Sequence, residues 1–211
     1  MGAMGCRYTR CPTPDPPPIN SDVKPDILPF QPVIAPVKAD PRLRLTPKEV
    51  FRLKGSWKGI KRKMAPTGTE MFIRLFQENA HLTKLFRGFK ELDNADDMRE
   101  NEMFEHHATL VMTTLDEAFS HLDNLDFVVD LLHKTGSTHR KFGGFLPNLF
   151  WNMEQPFLDA IKLTLGDAYT ESIEEIYKLA IKFILQSLKD GFTTSEETGQ
   201  ENSTVPPEPT E

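Results

Sequence analysis

Residues 102–122 read EMFEHHATLVMTTLDEAFSHL, and this stretch decides the fold class. Phe104, Ala108, Val111, Leu115, Ala118 and Leu122 recur every three or four residues, the spacing of one helix face. The period predicts a helix from about Glu100 to His121. His107 shares that face, because Val111 lies four residues on. His106 points about 100° round the helix and is expected at the surface.

The segment that follows, DFVVDLLHKTGSTH at residues 126–139, repeats the pattern. Asn124 is placed to cap a helix carrying Phe127, Val128, Leu131 and Leu132. Gly136 is expected to interrupt it shortly before His139. Taken singly, each histidine reads as a surface or hydrogen-bonded helical residue. As a pair on apolar faces joined by a turn, His107 and His139 can face each other across a flat cofactor. Phe72, Phe86 and Phe142 are large apolar walls suited to a planar ring system.

The same period extends outward on both sides. Thr46, Pro47 and Glu49 form a helix start, with a capping box and proline at the first position. That helix buries Val50, Leu53, Trp57 and Ile60. A second follows Pro66 and presents Met71, Phe72, Leu75 and Phe76. Residues 87–99 are polar and read as a loop or short irregular helix. Gly143 and Gly144 break the chain. A fifth helix is expected from Pro147 to Leu165, with Leu149, Met153, Phe157 and Ile161. Gly166 and Asp167 turn the chain into a last helix from about Thr170 to Lys189. No strand pattern occurs, so the class is all-α.

Composition sets the boundaries. Ten of the 17 prolines lie in residues 1–41 and three in 206–209, whereas 14 of the 15 phenylalanines lie in 42–192. A disordered leader (1–41), one domain (42–192) and an acidic disordered tail (193–211) are therefore expected. The net charge of −6 argues against nucleic acid as a partner. No apolar run approaches the roughly 18–20 residues of a membrane-spanning helix, and no signal-peptide core follows the start. Both cysteines, Cys6 and Cys11, are in the leader, so a metal in the domain must use imidazole or carboxylate. Zinc-protease, EF-hand and phosphate-loop motifs do not occur. Serine and histidine occur in no activating context, so no catalytic residue is assigned.

The leader carries a lipidation signal. Met4-Gly5-Cys6-Arg7-Tyr8-Thr9 matches the myristoylation pattern, and Gly2 follows Met1. Gly2 or Gly5 would be the acylated residue, depending on whether Met1 or Met4 starts the chain; the alternative is a short disordered start, or a cloning scar ahead of Met4. A single myristoyl chain holds a membrane only marginally. Cys6 and Cys11 can add palmitate, and Arg7 and Arg10 add attraction to anionic lipid.

Residues 46–190 resemble a globin. Leu53-Lys54-Gly55-Ser56-Trp57 is similar to the family's first-helix signature, and Met71 to Phe76 to its second helix. Leu85-Phe86 resembles the place where the family packs a phenylalanine on haem. Phe86 precedes His107 by 21 residues, and His107 precedes His139 by 32. Both intervals suit the family's distal and proximal histidines. Thr135 to His139, with Gly143, resembles the neuroglobin-like proximal segment. Ala80 departs from the pattern, since many globins have proline at that corner. The lipidation signal together with such a core resembles globin X.

The resemblance implies a globin fold, a helical sandwich around haem b (iron protoporphyrin IX). It implies His139 as proximal ligand and His107 as distal residue, either binding iron itself or hydrogen-bonding a bound gas. Phe72, Phe86, Val111, Phe142 and Leu149 would line the pocket. The implied partners are O2 and other small gaseous ligands, an electron-donor protein, and a membrane through the acylated N-terminus. The implied location is the cytoplasm, tethered to the inner face of the plasma membrane. Three functions follow: reversible gas binding, the leading one and non-enzymatic; a membrane-associated redox protein or sensor active in electron transfer, nitrite reduction or lipid protection; and a haemless helical interaction module.

Overall fold

A computed structural model describes residues 40–86, 88, 89 and 94–200, with side chains as far as Thr194. Gly2, Gly5, Cys6 and Cys11 lie outside the described residues, as do most of the expected leader and the end of the expected tail. Among the described residues seven α-helices form: α1 Pro47–Lys61, α2 Met64–Glu78, α3 Ala95–Glu100, α4 Glu102–Ser120, α5 Leu125–Thr138, α6 Glu154–Leu165 and α7 Glu171–Gln200. Among the described residues there is no strand. None of their helices is long and apolar enough to cross a membrane.

Local chemistry sets the helix starts. Thr46 accepts the Glu49 N–H, and Glu49 accepts the Thr46 N–H at 2.8 Å. The Asn124 side chain accepts from the Phe127 N–H, as expected. α2 begins at Met64, two residues before Pro66 rather than after it. The third residue of a helix has no intrahelical use for its N–H, so proline costs nothing there. The Ala80 corner closes without proline: a 3-10 turn runs from Ala80 to Leu85, and Asn79 donates twice to the Leu75 carbonyl.

Four further expectations need correction. Gly136 does not interrupt α5 but sits buried inside it. A Cβ there would overlap the Leu188 carbonyl of α7, and one at Gly191 would overlap the His133 backbone. The two glycines let α5 and α7 cross backbone to backbone. The segment expected as one helix from Pro147 divides into a 3-10 turn, Pro147–Met153, and α6. Pro156 is the cause: it has no N–H for the Asn152 carbonyl and its ring crowds that oxygen. Phe127 is exposed on α5 and packs on His121 with ring centroids 4.7 Å apart. The last helix, expected to stop near Lys189, continues to Gln200.

The core joins α5 to α7 and packs α2 across α4 and α6. Trp57, Phe119, Phe157 and Tyr177 fill its centre, with Trp57 and Phe119 centroids 4.4 Å apart. The Trp57 indole N–H donates to Asp116 at 2.9 Å, and Lys61 pairs with the same carboxylate at 2.8 Å. Asp116→Ala strands a buried donor. It should cost about 1–3 kcal/mol in urea unfolding, and Asp116→Asn, which keeps an acceptor oxygen, should cost less.

Candidate functional site

A cavity of about 1070 Å³ opens between α2, α4, α5 and α7. Ligand pockets are typically about 300–1,000 Å³, so this one suits a large ligand. Both His107 and His139 line it, on opposite helices.

His139 closes α5. Its Nδ1 lies 2.9 Å from the Thr135 carbonyl oxygen. A carbonyl can only accept, so Nδ1 carries the proton and donates it. Nε2 is left with a free lone pair, the form in which imidazole binds a metal. The Thr135 hydroxyl donates to the Leu131 carbonyl at 2.8 Å, one turn back. Phe142, Phe145 and Phe150 surround the ring, the last at 5.0 Å. Phe150 and Phe145 in turn pack on Phe192 of α7.

His107 sits among a second set of rings. Phe72 and Phe86 meet it edge-on at 5.2 and 5.1 Å. Burial, more than the nearby positive charge of His139 and then His106, pulls its pKa down to about 4. Burial also lowers His139, partly offset by the Thr135 carbonyl. Both imidazoles are therefore neutral at neutral pH. Among the described residues, no cluster of three or more His, Cys, Asp or Glu could hold a metal. Two imidazoles alone leave most coordination positions open, so a metal held here would take its remaining donors from a cofactor.

These shifts give stability a pH dependence. An unfolded chain protonates His107 near pH 6.5, whereas the folded one resists until about pH 4. Between those values the unfolded state binds more protons, so stability falls as pH drops. The protein with its cavity empty should lose up to about 1.4 kcal/mol per pH unit from His107 in that window. Urea unfolding from pH 7 to 4 checks this, and His107→Gln should flatten the profile.

The other expected residues gather here as well. Phe72, Phe86, Val111, Phe142 and Leu149 all line the cavity, and so does Met153. Phe72 is buried, whereas Phe142 is 51% exposed and stands at the mouth. His106 is exposed, as expected, but reaches the rim. Phe89, Phe145, Phe150, Ile181 and Leu185 also line the space and were not anticipated. The period of the last helix could have indicated Ile181 and Leu185. Lys84 and Lys141 add positive charge at the lining and form no ion pair among the described residues.

The globin family profile matches residues 69–188, which contain both histidines and most of the cavity wall. The chain belongs to the globin family. This globin is 29% identical over 154 residues to a neuroglobin from Tetraodon nigroviridis, covering 73% of this chain and 96% of that one. It is 27% identical over 127 residues to cytoglobin-1 from Oryzias latipes, covering 60% of this chain and 70% of that protein. A crystal structure of a hexacoordinated haem protein from an anhydrobiotic tardigrade is 36% identical. It superposes with a TM-score of 0.70 and covers 73% of this globin and 99% of the other chain. The all-α class expected from helix spacing and the globin fold implied by the resemblance are thus both shown.

Proposed function

We propose that this haem-binding globin holds a b-type haem between His139, as proximal ligand, and His107, as distal residue, and reversibly binds O2 and other diatomic gases. One observation carries the reading: a single apolar cavity presents two neutral imidazoles, one fixed by a backbone carbonyl. The residues fit the group. The cavity is large, its walls are phenylalanine and aliphatic side chains, and its donors are the neutral nitrogens that iron takes. Haem, when bound, supplies an iron that can hold a gas and change oxidation state.

The chain's own residues divide the work. Thr135 orients His139 and keeps its tautomer. Phe86, Phe142 and Leu149 exclude water around the ring system, and Phe72 and Val111 limit the distal space. Lys84 and Lys141, on the cavity lining, would supply positive charge for the carboxylates of a bound haem. His107 has two uses. It can donate a hydrogen bond to an incoming gas, or occupy the iron position itself. In the second case gas affinity is the intrinsic affinity scaled by the fraction with His107 displaced. Haem titration tests the reading. A Soret band should saturate at one equivalent and shift with carbon monoxide; no such band means that haem is not held.

A second reading is favoured by the paired histidines themselves. An iron with two protein ligands can exchange electrons without breaking a coordination bond, which suits a redox protein supplied by an electron donor. The similarity to a hexacoordinated haem protein points the same way. Tethering to the cytoplasmic face of the plasma membrane rests on the leader motif alone. In cells fed labelled myristate, Gly2→Ala and Gly5→Ala made separately should identify the acylated residue. The idea fails if both variants, and a Cys6/Cys11 double variant, stay membrane-bound.

A further inference from the structure

Residues 42–63 hold nine Lys or Arg and one acidic residue, Glu49, a net charge of +8 in a chain whose total is −6. Four of the nine are engaged within the fold. Arg42 pairs with Asp40 and Asp126, Lys54 with Asp123 and Lys61 with Asp116. Arg52 donates to the Ser172 hydroxyl at 2.9 Å. Glu49 is held by Thr46 at the start of α1. Arg44, Lys48, Lys58, Arg62 and Lys63 are exposed and form no ion pair among the described residues.

Helix geometry sorts these side chains. At 100° per residue, Lys48, Phe51, Gly55, Lys58 and Arg62 fall within an arc of about 80°, opposite the buried Leu53, Trp57 and Ile60. Ahead of the helix, Leu43 and Leu45 are buried and leave Arg44 outward between them. A solvated helix face needs only its charges. This one also carries Phe51, 77% exposed, the most exposed of the large apolar side chains among the described residues. A Cβ on Gly55 would meet nothing within 4 Å, so the face is open at its centre.

We propose that the outer face of α1 docks on an anionic lipid surface, with Phe51 entering the interface and Arg44, Lys48, Lys58, Arg62 and Lys63 against the headgroups. A basic helix face bearing an aromatic side chain is the form that lies at a membrane surface. Each Lys or Arg near anionic lipid contributes about fivefold in affinity. A protein groove that receives a helix reads several apolar anchors at i, i+3, i+4 and i+7. This stripe has one apolar side chain among cations, which suits a fluid surface. α1 also follows the leader that carries Gly5 and Cys6, and one acyl chain needs a second signal such as a basic patch. The α1 face supplies that signal and needs neither an acyl chain nor haem to be detected. At physiological ionic strength the screening length is only about 8 Å. The face alone therefore does not hold the chain in cells, and loss of the acyl group still releases it.

The test is sedimentation of the unacylated full chain with lipid vesicles at about 10 mM salt, where the screening length is about 30 Å. Phosphatidylcholine vesicles with about 30% phosphatidylserine should bind it, and pure phosphatidylcholine should not. Raising the salt to about 0.5 M should release it. Lys58→Gln with Arg62→Gln should weaken binding roughly 25-fold. Phe51→Ala should weaken it roughly tenfold, since most of that side chain is available for burial. Gly55→Lys adds a cation at the open centre and should strengthen binding about fivefold, a gain that misfolding cannot produce. Lys134→Gln with Leu146→Ala, exposed outside α1, should change it little. No binding to the anionic vesicles, equal binding to both kinds, or α1 variants that bind as the unmutated chain does overturn the proposal. So does binding to polyglutamate in place of vesicles, lost in the same variants, which assigns the face to an acidic protein.

Discussion

Replacing His139 with alanine should leave a chain that folds but does not retain haem through gel filtration. Disturbing residues that merely orient a ligand typically costs 10- to 100-fold in affinity. Removing the ligand itself should cost at least about 100-fold on that scale. The fold should survive, because His139 lies at the helix terminus, lines a cavity, and its ring makes one hydrogen bond among the described residues, back along its own helix. Urea unfolding of the haem-free forms should show little difference. His139→Gly opens space for an added imidazole, and millimolar imidazole should restore the Soret band. Full haem retention by the alanine variant would contradict the proximal assignment.

The second large effect concerns the α5–α7 crossing. Gly136→Ala should destabilise the domain by about 3 kcal/mol or more, the upper end for overpacking. The atom met by the new methyl is the Leu188 backbone carbonyl, and a backbone cannot rotate aside as a side chain can. α5 must shift away from α7, carrying His139 with it. Haem affinity should therefore fall together with the melting temperature, which should drop by roughly 10 °C. Gly191→Ala, against the His133 backbone, should behave alike. Gly55→Ala is the contrast. Its methyl meets nothing within 4 Å in mid-helix, so it should stabilise by about 0.5–1 kcal/mol. Thermal melts of the three variants decide the matter.

What could be read from the sequence was local or periodic. The Thr46 and Asn124 caps depend on residues within one turn, and both formed as expected. The His107 face followed from three- and four-residue spacing, and the cavity gathers His107 with His139. Gly136 was misread because its role needs a second helix that no local pattern mentions. The division before α6 depends on a single proline ring and the carbonyl four residues earlier, inside an otherwise continuous helical period. Phe89 was missed because it lies in a polar stretch without periodicity. Its ring nevertheless lies 6.3 Å from that of His107.

The membrane and redox readings turn on residues or partners beyond this geometry, whereas the histidine pair can be tested directly. The most direct measurement is the visible spectrum of the ferrous, haem-loaded full chain beside His107→Ala, without added gas. Sharp six-coordinate bands should appear in the unmutated protein and give way to a five-coordinate spectrum in the variant. A five-coordinate ferrous spectrum in the unmutated protein, or six-coordinate bands that persist in His107→Ala, would contradict ligation of the iron by both His139 and His107.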